Sequence, residues 1–414
     1  MIKKIVFVFS KFFENKDWYI FNCPFYLQKG YEVEIWSLVQ VHYKGRAKEP
    51  IHMFRDYEVK YFDQVNDFKC EIKKNNRKQT VFFVYPSLGE NHETGYLIRR
   101  LIRQKGFQYC DYFYPPLVMQ SVNEKFPNKW KDIVYYYYKH IKEIKSLFFS
   151  ILYPPMYVFV AAQENLWHLA NKFDILDPKK LKYINTPDYD KYINEDTNED
   201  LIVLEKEGLE KYNYIVFLDE AHTHHSDFLN AGQDFWVTED IYKYEICGLF
   251  DFLESQTGME VIIALHPKAE YSDAAIFGGR KMVDRRSREL IKYSNFVITD
   301  FSTAISYIML YKKKFVMYTT NQLNDYKICM HAQRILAKYL GCKIANISKK
   351  LPDNFMDIYV KQLDESKRKA YINRLVCSRK KQRNITSAQI IDKCLKSYKY
   401  KSFKLNGNMY GRNG

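Results

Sequence analysis

Asn295-Phe-Val-Ile-Thr-Asp-Phe-Ser302-Thr303-Ala-Ile-Ser-Tyr307 reads as an apolar strand, a polar turn and the start of a helix. Val261-Ile-Ile-Ala-Leu265-His266-Pro267-Lys268 repeats the first half of that design upstream. Each apolar run delivers a polar loop to the same edge of a parallel sheet. The later loop is expected to open into a helix from about Ser302 to Tyr311, with Thr303 and unpaired backbone N–H groups in its first turn. A helix N-terminus carries about half a positive charge and several free donors, so it is a natural seat for a phosphate. Pro267 lacks an N–H, ends its strand and fixes the direction in which His266 projects. Two such loops describe a nucleotide site.

The same alternation extends outward from these loops. Residues 2–9 and 31–37 read as strands around a helix at 17–29, with further strands at 57–62 and 80–85 and a helix near 94–105. Two aromatic segments, 131–150 and 157–172, are broken by Pro154-Pro155 and are too short to span a bilayer. The stretch 185–210 is polar and acidic and reads as a linker region. A second series follows, with strands at 214–218, 261–265, 296–299 and 315–318 and helices near 240–256 and 285–293. The expected organisation is an N-terminal acceptor-side Rossmann-like domain with a helical insertion (1–190), a linker (191–210), a nucleotide-binding Rossmann-like domain (211–366) and a basic C-terminal helix or tail (367–414). This is an α/β chain of two Rossmann-like domains facing across a cleft, an outline that resembles the glycosyltransferase B (GT-B) architecture. In open α/β sheets the ligand sits outside the carboxyl ends of the strands.

Composition narrows the classes. A chain of 414 residues suits two domains, and 47% hydrophobic residues supply ample cores. Tyr and Lys are so abundant that single residues of either type carry little signal. Eight cysteines lie scattered without a CxxC pair, which argues against a zinc site or a disulfide framework and for a reducing, cytoplasmic compartment. The N-terminal apolar run is five residues long and meets Lys11 and the charged stretch 14–17, so it reads as a buried strand and not as a leader. Of the net charge of +15, about +13 falls after residue 366. Its core is Arg379-Lys380-Lys381-Gln-Arg383, followed by Lys393, Lys396, Lys399, Lys401 and Lys404. A near-neutral body with one basic segment does not fit a nucleic-acid-binding protein, and no nucleic acid is expected as partner. The segment suits either an anionic membrane surface or a solvated terminus.

Several residues could carry chemistry. Asp219 and Glu220 end the apolar strand Ile215-Val-Phe-Leu218, and either could act as general base if burial raises its pKa. His222, His224 and His225 follow, with Asp227 beyond. Their spacings suit a metal only in an irregular loop, so no metal is expected, and one of the three is expected to line the cleft. His266 could donate to a departing phosphate, with Pro267 and Lys268 beside it and charge added by Lys281 or Arg285. Ser302 and Thr303 would hold the phosphate, Asp300 would orient their loop, and Asn321 after Tyr318-Thr-Thr would complete the pocket around base or ribose.

The order of acidic loop (Leu218-Asp219-Glu220), His-Pro loop (His266-Pro267) and Ser/Thr helix start (Ser302-Thr303) resembles the bacterial sialyltransferases and related capsule and lipopolysaccharide enzymes. The resemblance covers residues 213–322. It implies a donor activated as a CMP-linked acidic sugar, sialic-acid-like or Kdo-like, transferred with inversion to a glycan or lipid-linked glycan acceptor without a metal or other cofactor. It implies that Asp219 or Glu220 is the base, that His266 contacts the CMP phosphate, and that Ser302 with Thr303 binds it. Ala221 stands where that family has Gly, and Thr303 where it has a second Ser. The Thr-Asp-Phe-Ser-Thr segment is equally similar to the CDP-glycerol polymerases of teichoic-acid synthesis, which implies a CDP-linked glycerol or polyol phosphate as the alternative donor.

Overall fold

The computed structural model describes residues 1–46, 49, 54, 56–85, 92–113, 152–161, 178–225, 234–235, 237–267, 269, 271, 274–325, 327–377 and 383–398. The segment 131–150, Asp227, Lys268 and the basic run 379–381 lie outside the described residues. The chain divides into two units. One comprises 1–114, 124–185 and 384–414, and the other 115–123 and 186–383.

Unit one is built on strands β1 (Lys4–Phe9), β2 (Glu32–Ser37), β3 (Val59–Tyr61), β4 (Thr80–Val84), β5 (Gln108–Phe113), β6 (Tyr157–Ala161) and β7 (Leu181–Ile184). They pair in parallel in the order β3-β2-β1-β4-β5-β6-β7. Unit two repeats the plan with β8 (Tyr214–Leu218), β9 (Glu260–Leu265), β10 (Met282–Asp284), β11 (Phe296–Thr299), β12 (Lys314–Thr319) and β13 (Ile344–Asn346). Its order is β10-β9-β8-β11-β12-β13, again all parallel. Both sheets therefore follow the doubly wound order, in which the chain winds away from a first strand and then returns to its other side. The reversal point lies between β1 and β4 in unit one and between β8 and β11 in unit two.

The uninterrupted apolar strands of unit two follow from burial on both faces. Ile215 and Phe217 join one apolar cluster with Ile263, Ile298 and Tyr318, while Val216 and Leu218 join another with Ile262, Val297 and Met317. The helix Glu239–Thr257 covers the first cluster through Tyr242, Ile246, Leu249, Phe250 and Leu253, and ends at Gly258, whose φ of +68° suits the left-handed stop.

Three expectations are corrected. The acidic stretch 191–210 is no linker. It holds the whole helix Thr197–Lys206 and the end of Pro187–Ile193, which fold into unit two because Asp196 caps the first of them and the buried Asp200 binds Arg288 and Lys292. The helix expected from Ser302 is shorter, spanning Ile305–Leu310, because Ser302 to Ala304 form tight turns in which Ile305 N–H reaches Ser302 O. The basic C-terminal region does not behave as one tail. The helix Glu365–Tyr371 belongs to unit two, whereas Ser387–Ser397 joins unit one, placing Ala388, Ile391 and Leu395 in its core. Among the described residues no helix is long and apolar enough to cross a membrane.

Candidate active site

The carboxyl ends of β9, β8 and β11 stand side by side in unit two, and their loops carry the acidic, His-Pro and Ser/Thr residues. The β8 and β11 loops flank the reversal point, where a doubly wound sheet leaves a crevice for ligand.

Asp219 is 3% exposed and fully engaged. Its Oδ1 accepts from Ala221 N (2.9 Å) and Tyr271 Oη (2.8 Å), and its Oδ2 from His266 N (3.2 Å). Burial pushes its pKa up, and these three hydrogen bonds oppose the rise. The carboxylate thus ties the β8 loop to the β9 loop and fixes the His266 backbone. Its first bond also holds Ala221 at φ +51°, a left-handed conformation that costs an L-residue about 1–2 kcal/mol. The position at which the resembled family has Gly is one whose backbone favours Gly.

Glu220 points elsewhere. Burial raises its pKa well above the usual range, the neighbouring Asp300 charge adds to the rise, and a hydrogen bond with the Ser302 hydroxyl opposes it. The Ser302 oxygen also accepts from Ala304 N at 3.2 Å, so the hydroxyl bridges the β8 carboxyl and the β11 turn. Ser302 is buried and Thr303 exposed beside it. Because the helix that follows is only six residues long, the turn's hydroxyls and N–H groups, more than a helix dipole, are what this loop offers an anion.

The three histidines separate. His222 is buried, with Nε2 2.6 Å from Asp300 Oδ2, while Phe301 N–H donates to Asp300 Oδ1. The pair locks the β11 loop from behind, so His222 does not line the crevice. His224 lies between Thr223 Oγ1 (2.9 Å) and Glu239 Oε2 (3.3 Å). His225 is half-buried beside His266, with ring centroids 4.9 Å apart and the rings inclined at 36°. A backbone bridge between His225 and Ala269 zips the two loops together. Pro267 is exposed at the β9 turn. Lys281 is taken up by Glu207 and Arg285 by Asp284, so neither is aimed at the Ser302 turn. Asn321 is exposed on the β12 side, where its backbone N–H donates to Ser348 Oγ (2.7 Å) and its Oδ1 accepts from Asn346 Nδ2 (2.9 Å). Among the described residues no three His, Cys, Asp or Glu side chains group as a metal would require.

Two contributors escaped the sequence reading. Tyr271 carries no signal in a chain so rich in tyrosine, and only its bond to Asp219 distinguishes it. Asp188 binds the Ser306 hydroxyl and the Tyr307 phenol from outside the motif, supporting the short helix behind the Ser302 turn.

No sequence-family profile matches the chain, and no curated protein matches it in sequence. Solved structures do match in shape. A histidine-to-alanine variant of the wall teichoic acid polymerase TagF matches with a TM-score of 0.54 at 12% identity, over 96% of this chain and 90% of the other. A histidine-to-asparagine variant of TagF soaked with CDPG gives 0.53 at 13% identity, over 95% and 89%. The chain has the GT-B fold. At this identity the likeness is one of fold, and the GT-B frame accounts for the two parallel sheets and for the loop cluster at the carboxyl edge of the second.

Proposed function

We propose that this GT-B chain is a glycosyltransferase of bacterial surface polysaccharide synthesis that uses a cytidine-nucleotide-activated donor. In the first reading the donor is a CMP-linked acidic sugar and transfer to a glycan or lipid-linked glycan acceptor proceeds with inversion. The observation that carries it is that three adjacent strands, β9, β8 and β11, bring to one sheet edge an imidazole (His266), a high-pKa carboxyl (Glu220) and a hydroxyl-bearing turn (Ser302, Thr303).

Glu220 in its ionised form takes the proton of the acceptor hydroxyl as the new bond to the sugar carbon forms. Its raised pKa makes it a stronger base than an exposed carboxylate. The bond from that carbon to the phosphate oxygen breaks, and charge grows on the phosphate. Ser302, Thr303 and His266 stabilise that charge in place of a metal ion. Asp219 acts through His266 and is a positioning residue.

The fold likeness to TagF, including a form soaked with CDPG, favours a second reading with the same site, in which a CDP-linked glycerol or polyol phosphate is the donor. A further part of the proposal is contact with an anionic membrane surface through the basic C-terminal region, where Lys393 and Lys396 are exposed.

A thermal-shift comparison of CMP, CDP, UDP and GDP tests the reading. CMP preference supports the acidic sugar, CDP preference the polyol phosphate, and preference for UDP or GDP, or no shift with any of them, overturns the cytidine assignment. His266→Ala should lower turnover at least about tenfold, the loss of one charge-stabilising contact. Unchanged turnover would remove His266 from the mechanism.

A further inference from the structure

His266 opens a loop, and a loop residue keeps one position only if its backbone is tied down. One carboxylate ties both ends of the segment 266–271. Asp219 Oδ2 accepts from His266 N (3.2 Å), and Asp219 Oδ1 accepts from Tyr271 Oη (2.8 Å). Between these ends the backbone bridge from Ala269 to His225 holds the segment to the β8 loop. The third donor to Asp219, Ala221 N, is local, two residues along the same chain. An Asp carboxylate turns easily about its last torsion, so its plane is set by the donors around it and not by a rotamer well. Tyr271 is therefore the long-range contact that keeps Asp219 Oδ2 aimed at His266 N.

Tyr271 is itself fixed. Its ring meets Phe277 edge-on with centroids 5.3 Å apart, lies 5.0 Å from the His224 ring, and its oxygen is hydrogen-bonded by the Thr223 hydroxyl. Thr223 is buried, and its Oγ1 lies 2.9 Å from His224 Nδ1. Burial and the facing Asp219 charge push the phenol's pKa up, so its hydroxyl stays a donor at neutral pH.

We propose that Tyr271 is a positioning residue of the transfer reaction, which keeps His266 against the departing phosphate by aiming Asp219 at the His266 backbone. The inference rests on the donor-site reading above and adds a residue that touches neither donor nor acceptor. Charge on the leaving phosphate is largest in the transition state, so a displaced imidazole lowers turnover more than it weakens donor binding.

The test is CMP release by the full chain from CMP-linked sialic acid and from CDP-glycerol, since transfer from either donor, to an acceptor or to water, liberates CMP. Tyr271→Phe keeps the ring and removes only the hydroxyl. It should lower kcat about three- to tenfold with whichever donor wild type uses, while KM for that donor changes less than about twofold. In a His266→Ala background the same substitution should change kcat by less than about twofold, because the group it positions is gone. In a Ser302→Ala background it should keep its full effect, because the Ser302 turn belongs to β11 and is not bonded by Tyr271. Unchanged kcat in Tyr271→Phe, a loss confined to KM, or an equal loss in the His266→Ala background overturns the positioning role and leaves the donor reading intact. Release of CMP from neither donor by wild type, or unchanged turnover in His266→Ala itself, removes the donor reading and this inference with it.

Discussion

A carboxylate surrounded by three donors has little capacity left for a substrate, and Asp219 is in that position, whereas Glu220 beside it meets a hydroxyl and a second acid. The expectations for the two differ accordingly. Asp219→Ala leaves buried donors unpaired and should cost about 1–3 kcal/mol in urea unfolding. Glu220→Gln keeps the shape and should lower kcat about 100-fold or more with little change in melting temperature at neutral pH. The pH dependence has a definite sign. Because burial and Asp300 raise Glu220's pKa in the folded state, its stabilising contribution is fully present below the unfolded value of 4.5 and is lost as pH rises through the raised one. Melting temperature should therefore fall with pH across that window, and the slope should be shallower in Glu220→Gln; an identical slope in both proteins would place the titration elsewhere. Residue types alone left Asp219 and Glu220 equivalent, since both are acids at a strand end. Only the partners around each carboxyl separate them.

Among elements, legibility followed burial and length. Strands β8, β9 and β11 are apolar on both faces, and their continuous Val, Ile and Phe runs marked them. Strands β5, β7, β10 and β13 left no such trace, being polar in part or only three or four residues long. Strand β6 was lost inside an aromatic segment read as longer. The helices at 187–206 read as a linker because acids in sequence suggest solvated surface, whereas Asp200 is 1% exposed and bound to Arg288 and Lys292. Asp200→Ala strands those two cations with Glu195 and Glu289 as remaining partners. It should cost about 1–3 kcal/mol and release the amides of Thr197–Lys206 to faster hydrogen exchange. Exchange unchanged in that helix would mean that its apolar face alone holds it.

Over the whole molecule, the chain returns to its first unit at the end. The helix Ser387–Ser397 is fastened by Thr386 and Gln389 in a capping box, by Ser387 to Asn185, and by Asp392 to the Tyr31 hydroxyl at 2.7 Å. Truncation after Asn384 removes Ile391 and Leu395 from the core of unit one and should destabilise that unit by about 3–6 kcal/mol, read by urea unfolding. The sequence by itself determined the α/β class, the strands that carry the site and the residue types at their ends, because burial on both faces and strand-ending residues are local signals. The identity of the tied and untied acids, the retreat of His222 behind Asp300, the approach of His225 to His266 and the return of the C-terminal helix were decided only in the tertiary structure. Each depends on which strands become neighbours, and the fold brings together residues 47 to 361 positions apart, from Asp219 and His266 to Tyr31 and Asp392.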